Sequence, residues 1–272
     1  MAKERLDILL VQKGYYPSRE QAQRAIMAGL VFVDNESHTK AGTKYPIDST
    51  IHIKGDIHPY VSRGGLKLEK AIKVFSIQME NKVVLDIGAS TGGFTDCSLQ
   101  NGASYVYSID VGYGQLAWKL RNDDRVKVME RTNFRYLQTE DLIGPTPNFA
   151  TIDVSFISLS HIFPTLKKLI PDQSEVVSLI KPQFEAGKDQ VGKKGIIRDI
   201  AIHRQVLKKT IDMFLREGFL VSGLTSSPIR GGKGNIEFLA YLIKEKDERP
   251  FYSDAIIEQV LQDAHRSTPL EE

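Results

Sequence analysis

A single cysteine, Cys97, occurs in the 272 residues. One thiol excludes an intramolecular disulfide and a cysteine-built metal cage. Its place just after a glycine turn reads as a small core residue rather than a nucleophile. No apolar run approaches the ~20 residues of a membrane-spanning helix. The opening residues, Met1 to Asp7, are charged and lack the apolar core of a secretion signal. The expectation is a cytoplasmic protein without stable membrane association. A surplus of one charge sign is also missing. The formal net charge is +2, which neither demands nor excludes nucleic acid. What is present, 41% hydrophobic and 26% charged residues, is an ordinary globular mix, and the length leaves room for two domains.

The most informative stretch is Val83-Val84-Leu85-Asp86-Ile87-Gly88-Ala89-Ser90-Thr91-Gly92-Gly93-Phe94-Thr95-Asp96. Its apolar, β-branched start reads as a buried parallel strand. Glycines directly after such a strand let backbone approach a ligand, and the helix predicted over 94–99 aims its free N–H groups at the same spot. That is a nucleotide-type site at the carboxyl end of a first strand. A phosphate loop would need a Lys-Ser/Thr pair after its glycines, and none follows. The dinucleotide fingerprint is broken at Gly88-Ala89-Ser90. An acid at the strand end suits a cationic ligand such as S-adenosylmethionine (AdoMet), with its ammonium and sulfonium. An ordinary strand–turn–helix corner is the plain alternative.

Residues 1–60 read as a separate small module. A helix starts at Arg5 and ends at Gly14, and a second, over 19–28, has Ser18 as its N-cap and Gly29 as its end. Strands follow at 30–33, 45–47 and 50–53, with a turn at Asp34-Asn35. Arg63-Gly64-Gly65-Leu66-Lys67 then runs into a helix carrying Lys67 and Lys70 on neighbouring positions. From residue 82 strands and helices alternate. Strands are predicted at 105–110, 126–129, 149–154, 176–181, 219–224 and 236–243. Helices are predicted at 116–120, at 159–170 with a break at Pro164, and at 200–217. Such alternation gives a doubly wound, Rossmann-like α/β sheet over 61–248. Residues 249–272 form a charged tail, weakly helical over 255–264. Asp110, about twenty residues past the glycines, is placed to hold ribose hydroxyls. Two loops, 183–199 with Lys188, Lys193, Lys194 and Arg198, and 226–235 with Arg230 and Lys233, fit a polyanionic substrate or are simply solvated.

Asp86, Asp110, Asp153 and Lys181 lie at strand ends and Glu237 at the start of a later strand, positions that rarely hold charge without a reason. Asp153, Lys181, Glu237 and a helical lysine would form a mixed-sign cluster whose balance lowers the cost of burial. Desolvation and a neighbouring ammonium can bring one such lysine down from about 10.4, so that it accepts a proton from a hydroxyl. A structural ion-pair network explains the same spacing.

Two resemblances go further. Arg5-Leu6-Asp7, Ser18-Arg19 with Ala22, then Ile26, Gly29, Val31, Val33, Lys40 and Gly42 resemble the S4-type RNA-binding domain. That resemblance implies an RNA-facing set of Arg5, Arg19, Arg24 and Lys40. Asp86 to Asp96, Asp110-Val111-Gly112-Tyr113-Gly114-Gln115, Asp153-Val154-Ser155-Phe156-Ile157-Ser158, Lys181-Pro182-Gln183-Phe184-Glu185 and Gly234-Asn235-Ile236-Glu237-Phe238 together look like the TlyA (hemolysin A) family. In place of that family's frequent Asn-Gly turn, this chain has Asp34-Asn35. The resemblance implies an S4 domain joined to an FtsJ-like, class I, AdoMet-dependent methyltransferase acting on the 2′-hydroxyl of cytidine in ribosomal RNA or ribosomal subunits, with no metal. It implies a catalytic set of Lys67, Asp153, Lys181 and Glu237. Lys181 faces the hydroxyl, Asp153 and Glu237 orient it, and Lys67 contacts the ribose or tunes Lys181. For the cofactor it implies Asp86 near the ammonium, Gly88, Ala89, Ser90, Thr91, Gly92, Gly93 and Phe94 in the turn, Asp110 at the ribose hydroxyls, Tyr113 and Asn133 on the adenosine side, and Val111 in the same set. A base methylase would show an Asn-Pro-Pro-Tyr-type or cysteine signature, which is absent. The alternatives are an RNA-binding protein with a non-catalytic methyltransferase fold and a membrane-active hemolysin-like protein.

Overall fold

The computed structural model describes residues 3–16, 18–27, 29–34, 36–53, 58–192, 195–245 and 253–266, with the backbone alone at 24 and 188. The turn residue Asn35, the loop lysines Lys193 and Lys194, and the side chains of Arg24 and Lys188 therefore lie outside the described residues. The chain divides into two units, one running to Pro59 and the other beginning at Tyr60 and including the last helix.

The first unit contains β1 (Lys3–Arg5), α1 (Leu6–Gln12), α2 (Arg19–Met27), β2 (Val31–Val33), β3 (Glu36–Ser37), β4 (Lys44–Pro46) and β5 (Ile51–Ile53). β1 pairs antiparallel with β4, and β2 lies antiparallel between β3 and β5. Leu6, Leu9 and Leu10 on α1 and Ala22, Ala25 and Ile26 on α2 repeat at helical spacing and meet Val31 and Val33, which alternate on β2. One acid is buried with them. Asp7 accepts hydrogen bonds from Arg5 (2.9 and 3.0 Å), Arg19 (3.0 Å), Gln23 (2.7 Å) and the Ile8 N–H (3.0 Å). The Arg5 bonds first, then Gln23 and Arg19, outweigh burial and hold its carboxyl well below the usual carboxylate range.

The second unit contains α3 (Gly64–Phe75), β6 (Val83–Ile87), α4 (Gly93–Gln100), β7 (Tyr105–Ile109), α5 (Trp118–Arg121), β8 (Val126–Met129), β9 (Phe149–Ile152), α6 (Phe163–Leu169), β10 (Glu175–Ile180), α7 (Pro182–Glu185), α8 (Ile200–Arg216), β11 (Phe219–Ser226), β12 (Phe238–Lys244) and α9 (Asp254–Arg266). Seven strands form one sheet in the order β11-β12-β10-β9-β6-β7-β8. β10, β9, β6, β7 and β8 run parallel, and β12 is antiparallel to both its neighbours. The alternation of side chains along each strand divides the core. Leu85, Ile87, Tyr107, Ile109, Phe238, Ala240 and Leu242 pack under α6, α8 and α9. Val84, Val106, Val177, Leu179 and Leu239 pack under α3, α4 and α5. Helices on both faces explain why these strands read as unbroken apolar runs.

Three expectations are corrected. The helix over 159–170 is split as expected, into a 3-10 turn, Leu159–His161, and α6, but the break precedes Pro164, which lies in the first turn of α6 where no N–H is needed. The helix near 116–120 is the single turn α5. The helix expected over 255–264 is present as α9, but it is not part of a separate tail: it joins the main core through Ile257, Val260, Leu261 and Ala264. These four residues follow helical spacing, so one face is apolar although the helix is polar on average.

His203 on α8 is fully buried, with Nδ1 2.9 Å from His265 Nε2 on α9 and its ring edge-on to Phe238. Burial, then the charges of His265 and Arg230, push His203 down to about 4 from 6.5, with Asp199 opposing them. The unfolded chain thus binds this proton more readily than the folded one. The stabilisation is complete above pH 6.5 and is lost as pH falls toward 4, by on the order of 3 kcal/mol. Melting temperatures between pH 7 and 4 should fall more steeply for the wild type than for His203→Leu, the difference isolating this group. Parallel curves would show that His203 is not held neutral by the fold.

Candidate active site

The site grows from the carboxyl ends of β6, β9 and β10. Gly88 follows β6 with φ +87°, and a Cβ there would lie 2.6 Å from the Asp153 carbonyl oxygen. Only glycine allows the chain leaving β6 to pass so close to the chain leaving β9. Beyond β7, Asp110 accepts bonds from the N–H of Ser90 (2.8 Å) and of Gly112 (2.7 Å), one on each oxygen. A cavity of about 370 Å³ opens here, lined by Gly88, Ser90, Asp110, Val111 and Asn133 with apolar walls that include Phe134.

A second cavity, of about 550 Å³, shares Gly88, Ser90, Asp153, Ser155 and Phe156 with the first. Four charged residues from distant parts of the chain meet in its wall. Lys67 Nζ lies 2.8 Å from Glu237 Oε2 and 3.2 Å from Asp153 Oδ2. Lys181 Nζ lies 2.5 Å from Asp153 Oδ1 and donates to Ser155 Oγ at 3.0 Å. Lys67, Lys181 and Glu237 are all under 9% exposed, so the two positive charges need their two negative partners. Burial alone would lower Lys67, but the carboxylates of Asp153 and Glu237 outweigh it and raise it. Burial alone would raise Asp153, but Lys67 and Lys181 outweigh it and lower it. The predicted four residues are brought together, with one correction: Glu237 pairs with Lys67, not with Lys181. Lys67 is held as an ammonium rather than drawn toward neutrality.

Local structure explains each position. α3 can lie against α4 because glycine opens both: a Cβ on Gly93 would meet Gly65 N at 2.8 Å, while one on Gly65 would meet the ring of Tyr60, just before α3, at 2.3 Å. That contact sets Lys67 one turn along α3. Lys181 is where β10 ends, as Pro182 opens α7. Glu237 precedes β12, and a Cβ on Gly231 would fall 2.0 Å from its carboxylate. Asn235 is 2% exposed. Its amide donates to Gly195 O (2.9 Å) and Gly232 O (3.1 Å) and accepts from Ile197 N (3.1 Å), tying together the two loops expected to meet substrate. Of their cations, Arg230 and Lys233 line the larger cavity, and Arg63 joins them.

The cofactor set divides. Gly88, Ser90, Asp110, Val111 and Asn133 line the smaller cavity; Ala89, Gly93 and Phe94 line the larger. Asp86, Thr91, Gly92 and Tyr113 line neither. Asp86 has the strand parity that faces α4, where it is fully buried and accepts from Thr95 Oγ1 (2.6 Å) and Thr151 Oγ1 (2.9 Å). Burial pushes it up to about 6 against those two bonds. A Cβ on Gly92 would meet Leu120 at 2.3 Å, and Thr91 O accepts from Ala117 N, so both serve the packing of α5. Tyr113 is exposed, its ring 4.2 Å from the Arg131 guanidinium. Of the RNA set, Lys40 is exposed, whereas Arg5 and Arg19 are engaged with Asp7.

Ser155, Asn235, Arg63 and Phe156 received no role from sequence reasoning, although three of them lie inside motifs already singled out. Phe156 is 90% exposed, sits at φ +64°, and lies 5.1 Å from the Phe184 ring. Among the described residues no group of His, Cys, Asp and Glu is arranged to hold a metal ion, and no helix is long and apolar enough to cross a membrane. Removing Glu237 should leave Lys67 under-compensated: Glu237→Ala should cost roughly 3 kcal/mol in denaturant unfolding. Lys67→Met combined with Glu237→Met should cost less than the sum of the single changes; strict additivity would show that the pair is not coupled.

Residues 60–244 match the model for the FtsJ-like methyltransferases, and residues 4–51 the model for the S4 domain. The chain is 53% identical to YqxC of Bacillus subtilis over 97% of this chain and 95% of that one. It is 46% identical to Hemolysin A of Brachyspira hyodysenteriae over 88% of this chain and 99% of that one. It is 39% identical to the 16S/23S rRNA (cytidine-2′-O)-methyltransferase TlyA of Mycobacterium tuberculosis over 90% and 91%. With a seven-stranded methyltransferase sheet, two adjoining cavities and a charged cluster in the wall of the larger, the chain belongs to the TlyA (hemolysin A) family, an S4 domain joined to an FtsJ-like methyltransferase domain.

Proposed function

We propose that this protein methylates the 2′-hydroxyl of a cytidine in ribosomal RNA, with AdoMet as methyl donor. The observation that carries the reading is the place of Lys181: an amine held by Asp153 and Ser155 in the wall of the larger cavity, beside the residues that both cavities share. The Mycobacterium tuberculosis relative is named for this reaction on cytidine. On that reading the protein works in the cytoplasm, where ribosomal RNA is found.

The smaller cavity fits AdoMet. Each oxygen of Asp110 already accepts one backbone N–H, which fixes the carboxylate and leaves lone pairs for a ribose diol. The apolar walls and Asn133 suit an adenine ring. When bound, AdoMet supplies an electrophilic methyl group on a sulfonium. In the larger cavity Lys181, a cation in the balanced cluster, first releases a proton to solvent and then takes the one that the 2′-oxygen gives up as it forms its new bond to carbon. Asp153 orients Lys181. Lys67, kept cationic by Asp153 and Glu237, stabilises the negative charge that develops on that oxygen. Arg63, Arg230 and Lys233 are placed for backbone phosphates, and Phe156 with Phe184 presents aromatic faces to a base. Alignment of the hydroxyl supplies much of the rate. Residues 1–60 contribute RNA affinity, with Lys40 an exposed cation and Arg5 and Arg19 serving both RNA and Asp7.

Lys181→Ala should lower turnover by about 10²–10⁴-fold while calorimetry shows AdoMet binding within about twofold of wild type. Lys181→Arg should fail as well, since a guanidinium does not give up its proton. RNA carrying a deoxyribose at the target should accept no methyl there; transfer to it would move the reaction to the base. Asp110→Ala should weaken AdoMet binding by about tenfold or more.

Lys40→Glu should raise the KM for RNA and reduce the salt slope of binding by about one, without the loss of stability that changes at Arg5 or Arg19 would bring. An unchanged slope would remove Lys40 from the interface.

A further inference from the structure

Lys181 has two described oxygen partners, and the second is not one of the four charged residues. Asp153 Oδ1 takes one N–H at 2.5 Å and Ser155 Oγ takes another at 3.0 Å. Ser155 stands two residues after Asp153 on the chain leaving β9, and it lines both cavities. The next residue, Phe156, has φ +64°, a backbone conformation that an L side chain adopts at a cost. This turn leaves the Phe156 ring outside while the Ser155 hydroxyl meets the lysine.

The geometry points to Ser155 as the positioning residue that aims the Lys181 lone pair at the substrate hydroxyl. An amine nitrogen bonded to its side chain has three further directions. As an ammonium it fills all three with N–H bonds; as the neutral base it has two N–H bonds and one lone pair. Asp153, a carboxylate, holds one N–H. If Asp153 were the sole acceptor, the lone pair could turn to either remaining direction, and in one of them the amine would present an N–H, not a lone pair, to the hydroxyl. With Ser155 accepting the second N–H, the lone pair is left the third direction. Once the proton has moved, the same two acceptors hold the ammonium, so the lysine need not rotate during the step. A serine also leaves the junction of the two cavities open, where a longer acceptor would fill it. The inference rests on Lys181 being the proton acceptor.

The test uses the full chain, AdoMet and ribosomal RNA, and compares Ser155→Ala, Ser155→Thr and Lys181→Ala. Ser155→Ala should lower kcat about tenfold, the effect of one hydrogen bond, with KM for AdoMet and for RNA within about twofold of wild type. Ser155→Thr, which keeps the hydroxyl, should recover kcat to within about threefold. Full kcat in Ser155→Ala overturns the role, as does a loss expressed in KM for AdoMet. Failure of Ser155→Thr to recover at an unchanged melting temperature overturns it too, because the hydroxyl would then not be what matters. Turnover surviving in Lys181→Ala would instead remove the reading of Lys181 on which the inference stands.

Discussion

Asp153 is shared by two lysines, and the site depends on that sharing. One carboxylate accepts from Lys67 on one oxygen and from Lys181 on the other. A single acid between two buried cations would leave a net positive charge in a poorly hydrated place, at a cost of several kcal/mol. Glu237 restores the balance through Lys67. Four elements therefore have to meet at one point: the first turn of α3 with Lys67, the ends of β9 with Asp153 and of β10 with Lys181, and the start of β12 with Glu237. The same carbonyl-to-glycine approach that brings Asp153 beside Gly88 also joins the two cavities. Charge balance, strand-end geometry and cavity shape are one constraint seen three ways.

The two lysines are not equivalent, and their partners make them different. Lys67 is bound by two carboxylates and remains a cation. Lys181 is bound by one carboxylate and one neutral hydroxyl. The difference lies in the acceptors alone, since both residues are lysines and both are nearly buried.

Polar residues elsewhere secure the frame around this chemistry. Asp86, buried under α4, binds the hydroxyls of Thr95 and Thr151 and so ties the start of α4 to β6 and β9. Asn235 joins the loops that carry Arg230 and Lys233. In the first unit Asp7 gathers Arg5, Arg19 and Gln23 and holds the ends of α1 and α2 together. Each buries a polar side chain and provides it with several partners, which is the condition for such burial. Basic residues in an RNA-binding motif are thus partly structural: an arginine on Asp7 cannot be counted as wholly free for phosphate.

Much of this was legible in the sequence, for identifiable reasons. Strand and helix periods are local, so β6 to β12 and α8 were predicted within a few residues, and the positions of Asp110, Asp153, Lys181 and Glu237 at strand ends followed from them. The glycines after β6 marked the turn. What a one-dimensional pattern does not contain is which face a strand residue takes once its neighbours are chosen, or which of two lysines an acid reaches. Asp86 stood at a strand end like the others, yet the parity of β6 turned it inward. Glu237 is 170 residues from Lys67 in sequence, and only the antiparallel insertion of β12 beside β10 brings the two together. Ser155 was visible in its motif but had no partner until β10 placed Lys181 within 3.0 Å of it. The sequence by itself determined the elements, the family and the residue types available for chemistry, because those rest on short-range periodicity and motif. The tertiary structure alone decided the pairings, because charge compensation and hydrogen bonding depend on distances that sheet order and register set.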